Sequence, residues 1–145
     1  MYHCGTKPVM MHIANGMDGA IVVTPRTPLP HADREYVLVS SEWCLSSPGL
    51  KTPAAFDMTK VDAGPSLDTD FHVVGTLLDR AWVDGDMTHA LRNRTASVPA
   101  GGGGVFDVKI DVPRLYPFVS HSFASADMGQ VEVPNVGHVA GTTSH

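Results

Sequence analysis

The chain has 145 residues, of which 43% are hydrophobic and 17% charged, with a net charge of −5. That is enough apolar material for a packed core, which excludes disorder and coiled coil; an acidic balance argues against a nucleic-acid partner. No run approaches the ~20 apolar residues of a membrane span, no charged-then-apolar start resembles a signal peptide, and 14 glycines with 11 prolines leave little room for long helices.

Taken in chain order, the segments Gly19 to Val23, Glu35 to Ser40, Phe71 to Leu77, Arg80 to Asp84, Val105 to Ile110 and Leu115 to Ser120 are short, β-branched and bounded by turn residues, and predict strands. From Val105 to Ile110 side chains alternate with the period of two expected of a half-buried strand. No long helical periodicity interrupts them, so the predicted fold class is all-β, a sandwich. Thr24 to Arg34 carries three prolines and predicts an extended linker. Ser46 to Asp70 has weak strand character and is too long for an ordinary loop.

A faint internal repeat is visible. Tyr2-His3-Cys4 leads through a loop to the glycine-headed segment Gly19 to Val23, and Val119-Ser120-His121-Ser122 leads through a shorter loop to Gly129 to Val133. In each, a strand ends at a histidine, a loop follows, and a glycine-headed strand closes the unit, as expected of a duplicated β-unit.

Eight histidines and seven methionines are many for this length, and they concentrate at the start of the chain. Cys4, His12 and Met17 place a thiolate, an imidazole and a thioether on one short loop, the donor mixture of a blue copper electron-transfer site. Soft sulfur favours Cu(I), imidazole suits both oxidation states, and zinc has little use for a thioether. Separately, each residue reads as ordinary: a buried thiol, a loop histidine, a core methionine. The spacing and the His3-Cys4 dipeptide favour the metal. Neighbours on a strand point to opposite faces, so Cys4 can serve one metal and His3 another, with two residues of covalent chain between them.

YHCGTKPVMMHIANGMDGAIVV resembles the type 1 copper loop of the copper-containing nitrite reductases and two-domain multicopper oxidases. REYVLVSSEW, FHVVGTLLDRAWVDG and YPFVSHSFASADMGQVEV resemble segments of their second domain. The resemblance implies a cupredoxin-like Greek-key β-sandwich. Residues 1–24 would be the end of a first cupredoxin domain, 25–34 a linker, 35–137 a second domain and 138–145 a tail. It also implies an internal deletion near residues 63–64, where pieces that are separate in the family abut.

By resemblance, Cys4, His12 and Met17 are type 1 copper ligands. His3 and His121 are ligands of a catalytic, type 2 copper, and His72 is the catalytic residue that passes protons to bound nitrite. A further type 1 histidine, a further catalytic-copper histidine and a nitrite-holding aspartate would lie upstream of Cys4. The implied partners are a small-molecule substrate, nitrite or oxygen, and an electron donor. The implied assembly is a homotrimer with its catalytic copper between subunits, in the periplasm or outside the cell.

One histidine per motif, rather than the His-x-His and His-Cys-His pairs of a three-copper cluster, favours nitrite reduction over a laccase-like oxidase reducing oxygen. A non-catalytic cupredoxin fragment is the third reading.

Several remaining features have plain explanations. Cys44 reads as a free thiol. Gly101 to Gly104 lacks the Lys-Ser or Lys-Thr of a phosphate loop and reads as a turn, and Asn93-Arg94-Thr95 is a chance glycosylation triplet. His31 and His89 read as solvated loop residues, and His138 and His145 as part of the tail.

Overall fold

The structure, a computed structural model, describes residues 1–46, 57–63 and 68–137. The chain divides into two compact units, Met1–Ser66 and Leu67–His145.

In the first unit, β1 (Tyr2–His3) pairs antiparallel with β2 (Asp18–Gly19), His3 opposite Asp18 and Tyr2 opposite Gly19. A Cβ at Gly19 would lie 2.8 Å from the Tyr2 hydroxyl, so glycine lets the ring lie across the return strand without shifting. Between the two strands runs the single-turn helix α1 (Val9–Ala14). It ends where the Asn15 side-chain amide donates to the Met11 carbonyl at 2.7 Å, adding to the backbone N–H of Asn15 that the same carbonyl accepts at 3.2 Å. A second short helix, α2 (Met58–Ala63), follows residues outside the described set.

Two expectations fail here. The strand predicted over Gly19 to Val23 is paired only at Gly19, with Ile21, Val22 and Val23 exposed. Glu35 to Ser40 forms no strand at all, and the four consecutive residues Tyr36 to Val39 are each more than half exposed. Strand propensity is a preference for a pleated, packed surface, and residues 20–23 and 35–40 belong to no described strand. Thr24 to Arg34 carries neither helix nor strand. The weak stretch from 46 to 70 falls largely on residues 47–56 and 64–67, outside those described, and so does the 138–145 tail.

The second unit is a sandwich. Its strands are β3 (Thr69–Val73), β4 (Leu78–Val83), β5 (Leu91–Asn93), β6 (Thr95–Val98), β7 (Gly104–Asp107), β8 (Arg114–Leu115) and β9 (Phe118–Ser120). The helix α3 (Phe123–Asp127), β10 (Val131–Glu132) and β11 (Asn135–Val136) complete it. One sheet runs β10-β9-β3-β6, another β5-β4-β7, and β11 pairs with β8. The core lies between the two larger sheets: Val73 from β3, Leu78 and Ala81 from β4, Ala96 from β6, and Tyr116 are all buried. Phe71 of β3 stacks on Phe106 of β7 with ring centroids 4.7 Å apart, worth about 0.5–1.5 kcal/mol beyond area burial. Leu78 and Ala81 both face inward although odd spacing should put them on opposite faces; a register shift between them in the β4–β5 pairing restores the parity.

Two predicted strands are divided. Phe71 to Leu77 stops at Val73 because Gly75, at φ +94, turns the chain into β4. Leu115 to Ser120 breaks into β8 and β9 around Tyr116-Pro117, where proline lacks the N–H a continuous ladder needs. Val105 to Ile110 pairs only through Asp107, and its Val108 and Ile110 pack on the core.

The duplicated unit is real as local structure. β1–α1–β2 and β9–α3–β10 are each an antiparallel strand pair bridged by a short helix, with His3 ending β1 and His121 following β9. Among the described residues no helix is long and apolar enough to cross a membrane.

Candidate metal centre

In the first unit the β1–β2 pairing is prolonged by a hydrogen bond from the Cys4 N–H to the Met17 carbonyl at 2.9 Å. This closes the loop on itself, and α1 within it brings His12 back over Cys4: His12 Nδ1 lies 3.3 Å from Cys4 Sγ. Two donors bound to one ion at about 2.0 Å for nitrogen and 2.3 Å for sulfur stand roughly 3.5 Å apart. The thiol and imidazole are thus already at ligand separation, and Cys4 is half-buried. Met17 joins through its backbone, while its side chain is 52% exposed. A trigonal His₂Cys site needs one more imidazole, and among the described residues no group of three or more His, Cys, Asp or Glu side chains comes together. Cys4 and His12 therefore fit two donors of a copper site in kind and in spacing, while Met17 is tied to them through its backbone alone.

His3, beside Cys4 on β1, donates from Nδ1 to the Cys4 carbonyl at 3.0 Å. Its Nε2 remains available.

The second unit holds the other two candidates. β3 places Phe71 and Val73 toward the core, so His72 points to the opposite face. There His72 pairs in register with Thr95 on one side and Val119 on the other. His121, which follows β9, is tied down by its N–H to the Asp70 carbonyl at 2.9 Å. The His72 and His121 rings meet edge to face with centroids 4.7 Å apart.

His72 Nδ1 lies 2.7 Å from the Arg94 carbonyl. A carbonyl only accepts, so Nδ1 carries the hydrogen and donates; the Thr95 hydroxyl oxygen, 3.3 Å away, is a second and longer partner. This fixes ring and tautomer and leaves the Nε2 lone pair to bind or exchange a proton, the arrangement outer partners impose on working imidazoles. An open cavity of about 330 Å³ adjoins it, lined by His72, Gly75, Thr76, Leu77 and Arg94.

Arg94 and Thr95 entered the sequence reading only as part of a glycosylation triplet. Their role follows from the β3–β6 register, and β6 was not among the predicted strands. As for the triplet itself, Asn93 lies in β5, half-buried, with its amide oxygen buried.

The other expected bystanders behave as such. His31 is exposed. His89 is exposed and bonded to Asp86 at 2.9 Å, and Cys44 is a half-buried free thiol. Gly101 to Gly104 lies in the turn between β6 and β7, where the Asp84 N–H reaches the Gly103 carbonyl at 2.7 Å. His138 and His145 are outside the described residues.

No protein-family model matches the chain. The copper-containing nitrite reductase of Neisseria meningitidis serogroup A is 30% identical over 174 aligned positions, covering 92% of this chain and 45% of that protein. The copper-containing nitrite reductase of Neisseria gonorrhoeae is 30% identical over the same share of this chain and 44% of its own length. Among solved structures, copper nitrite reductase from Nitrosomonas europaea superposes with a TM-score of 0.76 at 24% identity, over 90% of this chain and 59% of that one. The chain spans about half the length of the curated relatives it matches, and its fold is the cupredoxin-type β-sandwich. Over 92% of its length the chain is thus homologous to part of the copper-containing nitrite reductases, and it shares their fold.

Proposed function

We propose that the chain works as part of a copper-dependent nitrite reductase. Cys4, His12 and Met17 would hold a type 1 copper, and His3 and His121 would serve a type 2 copper at which nitrite is reduced to nitric oxide. The observation that carries this reading is the approach of His12 Nδ1 to Cys4 Sγ at 3.3 Å on a loop sealed by the Cys4–Met17 backbone bond. Copper, when bound, supplies one-electron redox chemistry. The protein's own residues do the rest: Cys4 and its neighbour His3 provide the covalent path between the two sets of ligands. His72, held by the Arg94 carbonyl, offers Nε2 for proton delivery to the substrate.

The domain boundaries proposed from the sequence stand with this reading, as do the homotrimer, the separate electron donor and a periplasmic or extracellular location. An internal deletion near residues 63–64 is supported by the alignment, which runs over 174 positions against a chain of 145 residues and so must open gaps in this chain. The exposed apolar residues 21–23 and 36–39 agree with it, since uncovered apolar stretches are what such a deletion leaves.

A non-catalytic copper-binding fragment is the second reading, favoured by the two strong donors, rather than three, that the first unit brings together among its described residues. Visible spectroscopy during Cu(II) addition tests the copper assignment. An intense thiolate-to-copper band that disappears in Cys4→Ser supports it, and a colourless protein overturns it. Nitrite turnover by the copper-loaded protein then separates the enzyme from the fragment. Phenol oxidation without nitrite turnover would favour the laccase-like alternative.

A further inference from the structure

We propose that Arg94 is an anion-capturing residue, which draws a small monovalent oxyanion into the cavity beside His72. On the nitrite-reductase reading, on which the identity of the ligand rests, that anion is nitrite.

The second unit has five basic side chains among its described residues, and four are engaged. Arg80 meets Asp107 at 2.8 Å, Arg92 meets Asp79 at 3.8 Å, and Lys109 meets Asp111 at 3.0 Å. Arg114 donates to the Gly75 carbonyl at 2.9 Å and lies over the Tyr116 ring. Arg94 forms no ion pair with any described carboxylate, yet it lines the cavity with His72, Gly75, Thr76 and Leu77. None of the lining residues is acidic. In a chain of net charge −5, a cation with no ion pair to a described carboxylate, on a cavity with no acidic lining residue, favours anions there.

The type of cation matters as well. A guanidinium stays charged at any working pH and presents parallel N–H donors that match the two oxygens of a small planar oxyanion. The same residue holds His72 through its carbonyl. Arg94 therefore holds the imidazole through its carbonyl and adds a permanent positive charge to the same stretch of sheet. Arg114 supports the opposite wall by holding the Gly75 carbonyl. A Cβ at Gly75 would collide with that guanidinium, so the turn admits no larger residue without displacing it.

The test is made on the metal-free chain, so that it does not depend on copper. Sodium nitrite is titrated at ionic strength held constant with sodium chloride, and nitrogen–proton NMR follows the backbone amides of residues 72 and 75–77 and the Arg94 side-chain Nε–H. Expected are saturable shifts at these positions, at least about tenfold weaker in binding for Arg94→Gln and weakened less in Arg94→Lys, which keeps the charge but not the parallel donors. No saturable response in the unmodified chain, or an undiminished one in Arg94→Gln, overturns the proposal. The Arg94 Nε–H signal of the unmodified chain decides the matter by itself if Arg94→Gln does not fold: a still signal overturns it. A missing copper band with intact nitrite shifts would sink the copper reading and leave this one standing.

Discussion

His72 and His121 stand edge to face with ring centroids 4.7 Å apart. They reach this arrangement because β9 lies beside β3 in the sheet, pairing Val119 with His72. Since the Arg94 carbonyl takes the Nδ1 hydrogen, neutral His72 is expected as the Nδ1–H tautomer. Long-range nitrogen–proton correlation spectra of the ring should show a protonated Nδ1 and an unprotonated Nε2. The opposite tautomer would remove His72 Nε2 as the working nitrogen.

Loop ligands should differ in weight. Cys4→Ser and His12→Ala should each weaken Cu(II) binding by more than the 10–100-fold typical of losing an outer-shell partner. Met17→Leu should cost less, because a thioether is a long, weak axial ligand. Competition titrations against a chelator of known affinity measure all three, and equal losses for Met17→Leu and His12→Ala would contradict the assignment.

Leu78 is fully buried at the centre of the second unit's core. Leu78→Ala should destabilise by roughly 2–5 kcal/mol, the range for a leucine cavity in a packed core. Val112, 59% exposed, provides the contrast: Val112→Ala should stay within about 0.5 kcal/mol. Urea unfolding midpoints of the two variants give the comparison.

Tyr36 to Val39 leaves apolar side chains and strand-forming backbone uncovered on both sides. Such a segment invites edge pairing between molecules. The double substitution Val37→Lys and Val39→Lys should therefore shift the isolated chain toward monomer in sedimentation velocity. An unchanged distribution would mean that self-association, if any, uses another surface.

Asp86 is held well below the ordinary carboxylate value of 3.8, first by the Thr88 hydroxyl at 2.5 Å and then by the His89 ring. A lowered value in the folded state means that the unfolded chain binds the proton more readily. The stabilisation of this turn is therefore fully present above about pH 3.8 and is lost as pH falls through the lower folded value. Carboxyl-carbon NMR titration should find Asp86 titrating below 3.8, and Thr88→Val should raise its midpoint. A midpoint at the ordinary value in the unmodified chain would contradict the geometry.

The candidate loop was legible because its parts are local. Cys4, His12 and Met17 lie within one strand–helix–strand unit, and short loops closed by neighbouring residues have few alternatives. His72 and His121 were legible as residues, whereas their meeting was not, since it depends on which strands pair. The same limit hid Arg94 and Thr95, which matter through the register of β6 against β3. Strand lengths were overestimated where a glycine at positive φ or a proline interrupts an apolar run, as at Gly75 and Pro117.

The sequence by itself determined the all-β class and which donor side chains the first loop carries, because composition, strand periodicity and short-range spacing are local properties of the chain; the resemblance of its segments pointed to the copper-containing nitrite reductases. Only the tertiary structure decided which strands are paired. It left Glu35 to Ser40 bare despite its propensity, set His72 against His121, and put the Arg94 carbonyl on an imidazole. Pairing is a contest among distant segments for hydrogen bonds and buried area, and its outcome depends on partners that no single stretch of sequence contains.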